Sequence, residues 1–522
     1  MSRSYLNEIF NNRNYDEQFF SNRNKFLYLH NPVNMSFCNH LEKCRKTKSK
    51  IVHLCDFDTD GIMSGVIGFS ALSRLGFNVS LYPLQPRDGY GFTEKTIDDV
   101  LKKYPNTKYI LTSDVGIGSI DAINYGKETG LIFLVTDHHK PVAHDGNIIL
   151  PQADVIINPM LENLEFKGFC GAYVLWHALF YYVCSVDFTD KQRDDIKKLW
   201  FFSAIGTISD LMPLYFDNNF MVKNLLNYAN SSHQLENNDY YDQAFIALDK
   251  LFNLFPSKRV NGKITETYFA FYIIPMLNSV KRLEKDIIDV FSFFFVKSDA
   301  TKLLQYNDER KRMVDNYYRK ILKQDNKFAP YLYQSDAPSG LLGLLAMKFM
   351  VKDNVPVVVV NDQNKGSGRI PDFYQPFDET WQQIDGLTLM GHNHAFGAYL
   401  VDQEKWLDFV NYLDTSSDVI KNMDNFYDLE LSLQEIEMVD VVTYMDDKDI
   451  HSPFGSGFKS PKILLKLGNN VEYSVIKDKH ILVKDKLDIW IFNTTELPNY
   501  VLGDFNYFGD NITFSGGCYD EN

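Results

Sequence analysis

The chain has 522 residues, enough for three or four domains at ~100–200 residues each. Hydrophobic residues make up 45% and charged residues 23%, an ordinary globular mix, and the net charge of −15 excludes a protein that coats nucleic acid over its whole surface while leaving room for a local basic channel. There is no run of ~18 apolar residues, and Met1 to Asn24 is polar, so a spanning helix is excluded and secretion is not expected.

Along the first third, short apolar strands alternate with helix-patterned stretches. Lys50–Cys55, Val79–Pro83, Tyr109–Thr112, Leu131–Val135 and Val155–Ile157 read as strands, the βαβ pattern of a parallel sheet. After the first of them, Ile62, Met63, Val66, Ile67, Phe69, Leu72 and Leu75 recur at helical spacing and Gly76 supplies the stop. From about Asp187 to Arg319 the pattern is helical and aromatic. A second α/β stretch runs from about Ala329 to Asp414 and contains the run Val355–Val360. From about Asp418 to Asn522 the chain reads as strands, at Lys462–Leu467, Val471–Ile476, His480–Val483 and Leu487–Phe492. In the last of these, Leu487, Ile489 and Ile491 point one way and Asp488, Trp490 and Phe492 the other. Charge is uneven there. Asp418–Ile450 holds ten acidic residues against Lys421 and Lys448, whereas Gly457–Lys486 holds seven lysines against Glu472, Asp478 and Asp485. Such a lysine run is read either as a solvated β-face or as a strip that tracks phosphates.

The segment Asp56-Phe57-Asp58-Thr59-Asp60-Gly61 falls where a strand ends and a helix begins. Three carboxylates spaced by two on a tight turn are costly to hold together unless cations neutralise them. A Ca²⁺ loop is one reading, but EF-hand ligands need a flanking helix and a terminal Glu, which are not expected here. Thr112-Ser113-Asp114-Val115-Gly116, Thr136-Asp137-His138-His139 and Ile205-Gly206-Thr207-Ile208-Ser209-Asp210 likewise follow strand or helix ends. In an open parallel sheet such positions converge on one crevice. Any one Asp after a strand is ordinarily a cap or turn residue; the set of clusters is what points to a site. The six cysteines (Cys38, Cys44, Cys55, Cys170, Cys184 and Cys518) include no C-x-x-C pair, which argues against disulfides or a thiolate zinc site and for a reducing cytosol. An Asp and His set without Cys suits Mn²⁺ or Mg²⁺. Two such ions ~3.5–4 Å apart activate water and stabilise an in-line phosphoryl displacement.

Taken together, Asp56–Gly61, Asp114, Asp137-His138-His139 and Asp210 resemble the four motifs of the DHH phosphoesterases. Other segments resemble the RecJ branch, the single-strand-specific exonucleases. These are Phe26–Pro32, Pro86-Arg87-Asp88-Gly89-Tyr90-Gly91, Ile157-Asn158-Pro159, Cys170-Gly171-Ala172 and the Asn307–Arg310 segment. Further on, Gly340–Gly343, Gly366-Ser367-Gly368-Arg369 and Gly391-His392-Asn393-His394-Ala395 are similar to the substrate-side motifs of the DHH-associated domain. Pro453–Gly457 and Lys479-His480 before Trp490 are similar to the RecJ OB fold. The resemblance implies an α/β fold: a DHH parallel-sheet catalytic domain over residues 1–230, a helical connector over 231–328, a second α/β, DHH-associated substrate-binding domain over 329–415 and an OB-like nucleic-acid-binding β domain over 416–522.

It also implies roles. Asp58, Asp60, Asp114, His138 and Asp210 are expected to ligate two metal ions, Mn²⁺ or Mg²⁺, with Asp56 and Asp137 as ligands or as supports of ligands. His139 is expected at the scissile phosphate or the leaving oxygen, and Ser367, Arg369 and His392 on other phosphates, with Arg87 at the terminal one. The implied activity is 5′-to-3′ hydrolysis of single-stranded DNA to mononucleotides by a cytoplasmic monomer, with a single-strand-binding protein or a helicase as the class of partner to look for and no membrane. Met390, Phe396 and Ile370 depart from the family pattern towards bulk, which is expected to narrow the substrate groove. A DHH oligoribonuclease or cyclic-dinucleotide phosphodiesterase is the alternative, though such enzymes usually lack the OB-like region and the 26–32 segment. A non-enzymatic DNA-binding scaffold is a further one, though such proteins lose metal ligands that are all present here.

Overall fold

The computed structural model describes residues 4–13, 32–89, 91–144, 147–164, 166–231, 239–324, 329–371, 374, 387–392, 394–400, 405, 408, 411, 427–454, 460–468, 471–477, 479–508 and 511–519. Residues 26–31 of the family-like segment, Tyr90, Asn393, residues 455–457 and Lys459 lie outside the described residues. The chain forms two compact units, one of Met1–Pro83, Gly91–Ile274 and Asn425–Asn522, the other of Leu84–Tyr90 and Pro275–Asp424. Among the described residues no helix is long and apolar enough to cross a membrane.

The first unit is built on strands β1 (Lys50–Cys55), β2 (Asn78–Pro83), β3 (Thr107–Ser113), β4 (Ile132–Thr136) and β7 (Val155–Ile157), all parallel, in the order β2-β1-β3-β4-β7. Between β4 and β7 a small antiparallel ribbon, β5 (Val142–His144) and β6 (Asn147–Ile149), stands apart. The five main strands are the five expected from the sequence; β1 and β7 have the expected bounds, and the ends of β2, β3 and β4 are shifted by at most two residues. Ile51–Cys55 is buried throughout, because helices cover both faces of a parallel sheet. The helix that follows β1, α1 (Thr59–Arg74), carries the expected apolar positions, and Ile62, Met63, Val66, Ile67 and Leu72 are all fully buried. Two further helices frame the carboxyl ends of the strands, α2 (Gly171–Ser185) and α3 (Trp200–Ser209).

The second unit holds strands β8 (Leu332–Gln334), β9 (Val357–Val360), β10 (Lys365–Arg369), β11 (Leu387–His392) and β12 (Ala395–Leu400) in the order β11-β12-β10-β9-β8. Helices α4 (Thr301–Leu322) and α5 (Ser339–Asp353) close a core of Val314, Ile321, Tyr333, Leu341, Leu342, Leu345, Phe349, Val357 and Val359.

The C-terminal region is a seven-stranded sheet, β13-β14-β18-β19-β17-β16-β15. Its strands are β13 (Leu429–Ser432), β14 (Ile463–Lys466), β15 (Tyr473–Ile476), β16 (His480–Lys484), β17 (Asp488–Phe492), β18 (Tyr500–Phe508) and β19 (Asn511–Tyr519). It differs from the expected run of strands in three ways, the first being β13, which is not among the expected strands. The acidic stretch contains a helix, α6 (Met438–His451), whose Tyr444 hydroxyl and Lys448 ammonium both meet Asp504 at 2.5 Å. The longest hairpin, β18–β19, pairs from Tyr500↔Tyr519 to Phe508↔Asn511, although its Gly and Asn content hides the alternation.

Candidate metal centre

The sheet order reverses at β1, where the chain crosses to β2 on one side and returns to β3 on the other. A crevice opens outside the carboxyl ends of the strands at such a reversal. Register puts acids in it. Cys55 pairs with Ser113 and Ser113 with Thr136, so the next residues, Asp56, Asp114 and Asp137, leave the sheet side by side. Asp58 caps α1, its Oδ1 accepting the amides of Asp60 and Gly61 at 3.1 and 3.2 Å. Asp60 is aimed at the start of α2, where Oδ2 accepts the Gly171 amide at 2.6 Å and Oδ1 the Ala172 amide at 3.1 Å, the favourable end of the helix dipole. Asp210 sits at the C-terminal cap of α3, the end that repels an anion.

These side chains converge. His138 Nε2 lies 3.1 Å from Asp114 Oδ1, 3.5 Å from Asp210 Oδ2 and 3.8 Å from Asp60 Oδ2. Three overlapping donor groups form, namely Asp60-Asp114-His138-Asp210, Asp56-Asp58-Asp114 and Asp114-His138-His139, the atoms of each within 4.8 Å of one another. Asp114 belongs to all of them, as a carboxylate between two cations would. Asp114 Oδ1 and His138 Nε2 are both buried and, among the described residues, neither makes a hydrogen bond, although they face each other. Burial pushes the Asp114 carboxyl well above its ordinary range, and the carboxylates of Asp60, Asp58, Asp210 and Asp56 push it further. Asp60 is raised by burial as well, against the pull of His138. His138 is lowered by burial and by the neighbouring His139 imidazole, so it offers a neutral ring lone pair. Buried acids crowded together, with Asp114 Oδ1 and His138 Nε2 left without a hydrogen bond among the described residues, fit hard divalent cations.

Asp137 belongs to none of the three groups. Its carboxylate accepts the amides of Ile117 (2.9 Å), His138 (2.8 Å) and His139 (3.2 Å) and the His139 Nδ1–H (2.8 Å). Of its two expected roles, the geometry is that of a support. Burial alone would raise Asp137, but the His139 hydrogen bond and charge bring it below its ordinary value. Burial would likewise lower His139, and the Asp137 partnership raises it instead.

Two glycines with a part in the site were not singled out for it in the sequence. A Cβ on Gly171 would stand 2.5 Å from Asp114 Oδ1, and one on Gly206 2.1 Å from Asp60 Oδ1. Both lie in segments already marked by pattern, Cys170-Gly171-Ala172 and Ile205–Asp210, but only the fold shows that the missing side chains make room for carboxylates.

The expected phosphate contacts lie in the second unit. Arg369 ends β10 and is mostly buried; its Nη1 donates to the Gly368 carbonyl at 2.6 Å and the Ser367 hydroxyl at 3.3 Å. Among the described residues no carboxylate pairs with it, and burial lowers its pKa. A Cβ on Gly343 of α5 would come within 2.7 Å of Arg369 Nη2 and 3.0 Å of Ser367 Oγ, so this glycine gives the pair its space. His392 ends β11, its side chain outside the described residues. Arg87 is exposed on the short turn Pro86–Asp88. The bulk of Phe396 and Ile370 goes into the interior, at 3% and 2% exposure, rather than into a groove. Phe396 lies over Gly368, where a Cβ would meet its ring at 2.1 Å. The Met390 side chain is outside the described residues.

On β17 the expected division of faces is observed: Ile489 and Ile491 are fully buried, whereas Asp488 and Phe492 are exposed and Trp490 is half-buried. Beside them Lys477, Lys479 and Lys484 are exposed.

Residues 50–206 match the DHH family, N-terminal domain. The chain is 28% identical over 401 residues to the single-stranded-DNA-specific exonuclease RecJ of Haemophilus influenzae, covering 71% of this chain and 66% of that protein. It is 25% identical over 466 residues to RecJ of Bacillus subtilis, covering 84% and 54%. The chain thus spans less than two thirds of the length of either relative. Its fold superposes on the crystal structure of RecJ in complex with Mn²⁺ from Thermus thermophilus with a TM-score of 0.77 at 20% identity, over 98% of this chain and 75% of that one. A second crystal structure, of exonuclease RecJ bound to manganese, gives 0.57 at 22% identity over 79% and 100%.

Proposed function

We propose that this RecJ-like chain with a DHH-family domain is a metal-dependent exonuclease that hydrolyses single-stranded DNA from the 5′ end to mononucleotides. The observation that carries the reading is the set of three donor groups sharing Asp114 at the sheet reversal. Its likeness to single-stranded-DNA-specific exonucleases supports the substrate, and the direction is the one that the family resemblance of its motifs implies. Asp56, Asp58, Asp60, Asp114, His138 and Asp210 hold two Mn²⁺ or Mg²⁺ ions. Ions there supply Lewis-acid stabilisation of phosphoryl oxygens and lower the pKa of water.

The chain's own residues do the rest. Asp137 fixes the His139 ring through Nδ1 at 2.8 Å, which leaves Nε2 to meet the scissile phosphate and support the leaving 3′ oxygen. Arg369, without a carboxylate partner among the described residues, is suited to a phosphate, for which its planar fork is the matching donor. Ser367, His392 and Arg87 take further phosphates. The exposed Phe492 and the flanking lysines support a nucleic-acid-binding role for residues 416–522, in which bases stack at ~1–3 kcal/mol each.

A chain-length series tests the reading, with DNA and RNA from dinucleotides to long single strands, a duplex control, and Mn²⁺ or EDTA present. Long single-stranded DNA is expected to be shortened only with the metal, and duplex to survive. Cleaved dinucleotides beside intact long DNA would instead establish a small-substrate phosphodiesterase.

A further inference from the structure

A buried polar chain links the two acidic loops from behind, on the sheet side. Ser64 Oγ donates to the Gly61 carbonyl at 2.8 Å, Ser64 Oγ and Ser113 Oγ are 2.8 Å apart, and Ser113 Oγ is 2.7 Å from His53 Nε2. All three side chains are fully buried. His53 occupies the middle of β1, in a run that is otherwise apolar, and nothing in the metal chemistry above uses it.

Counting protons orients the chain. A carbonyl can only accept, so the Ser64 hydroxyl proton goes to Gly61. Ser64 must then accept from Ser113, whose own proton is spent, so Ser113 accepts from His53 Nε2–H. The neutral tautomer that results leaves Nδ1 as a bare lone pair. Among the described residues Nδ1 is buried without a hydrogen-bond partner, and an unmet acceptor is less costly there than an unmet N–H. Burial keeps the ring neutral, with its pKa pushed down to about 3. The fold also makes room for this ring: a Cβ on Gly68 of α1 would lie 2.3 Å from His53 Cε1.

We propose that His53 is a positioning residue, which through Ser113 and Ser64 sets the spacing between the Asp56–Gly61 loop and Asp114 and so builds the metal site before any ion arrives. Two features locate the need. Asp114 holds a left-handed φ of 58°, a conformation that is strained for a non-glycine residue and needs its neighbours to enforce it. Ser113, the residue just before it, is the one that the chain grips. Gly61, at the far end, belongs to the turn that supplies Asp58 and Asp60. Carboxylates that repel one another in the absence of cations are therefore tied together by a neutral link that does not change with the metal. The proposal rests on the metal-dependent reading above.

The test is Mn²⁺ uptake by the full chain, read from the electron paramagnetic resonance of free Mn²⁺, beside melting in EDTA. His53→Leu is expected to weaken Mn²⁺ binding on the order of 10-fold, the low end for partners outside the ligand set. His53→Gln, which can return the donor at the same reach, is expected to restore it. Replacing both partners by apolar groups removes the unmet hydroxyl. His53→Leu/Ser113→Val is thus expected to melt like wild type while still binding Mn²⁺ weakly, a split that a merely structural role would not give. Wild-type Mn²⁺ affinity in the folded double variant overturns the relay. A wild-type chain that takes up no Mn²⁺ overturns the metal reading itself, and the relay with it.

Discussion

An Asp114→Asn protein is expected to bind Mn²⁺ roughly 10³-fold more weakly than wild type, about 4 kcal/mol at ~1.4 kcal/mol per tenfold, and to lose nuclease activity with it. Asp114 is the one residue common to every donor group, so both ion positions lose a ligand at once. Stability moves the other way. Burial and four neighbouring carboxylates hold the Asp114 carboxyl well above its ordinary range, so its charged form destabilises the metal-free fold. A raised folded-state value means that the folded chain binds the proton more tightly than the unfolded chain does. The group's stabilising contribution is complete below the unfolded value, ~3.9, and is lost as pH rises through the folded one. In EDTA the variant is therefore expected to melt no lower than wild type at acid pH, and increasingly higher as pH rises. Ligands bind metal deprotonated, so added Mn²⁺ raises the melting point of wild type more at higher pH, and hardly that of the variant. Melting curves at two pH values, with EDTA and with Mn²⁺, check both signs.

Gly171→Ala is expected to damage the site almost as severely without removing a ligand. The new methyl would stand 2.5 Å from Asp114 Oδ1, 2.6 Å from its Cβ and 2.8 Å from its Cα. Rotating the side chain cannot clear a clash with Cα, so the strained Asp114 backbone has to move. A displacement of ~1 Å in such a constellation costs roughly 10²-fold in activity, and overpacking costs about 1–3 kcal/mol of stability. Gly206→Ala acts on the other carboxylate. Its methyl would lie 2.1 Å from Asp60 Oδ1, which the Gly171 and Ala172 amides hold in place, so Asp60 must give up those bonds. Gly118→Ala is the control, since a Cβ there meets nothing within 4 Å. Mn²⁺ titration and melting of the three variants separate the effects: loss in the first two and none in the control is the expected pattern.

Much of this site could be read from the chain because its logic is local. Asp56, Asp114 and Asp137 each follow directly on a strand and Asp210 on a helix, and strand ends in a parallel sheet converge whatever the loops do. What the sequence hid depends on contacts between distant segments. Gly171 and Gly206 matter only because carboxylates from two other loops come to lie against them. His53 reads as a flaw in an apolar strand until β3 brings Ser113 beside it. Asp137 is typed like its neighbours, and only its four hydrogen bonds mark it as a support. Phe396 and Ile370 read as obstructions in a groove because bulk alone does not tell which way a side chain points. In the C-terminal region, the alternation of β17 was plain, whereas α6 was hidden by its acidic composition and β18–β19 by glycines and asparagines within the strands.

The most direct measurement is the digestion of single-stranded DNA labelled at the 5′ or the 3′ end, with Mn²⁺, by wild type and by Asp114→Ala. Label released as mononucleotide at once from the 5′ end and late from the 3′ end, and neither with the variant, is the expected result. Full-length DNA surviving the wild-type protein, or equal release by the variant, would contradict a nuclease centred on Asp114.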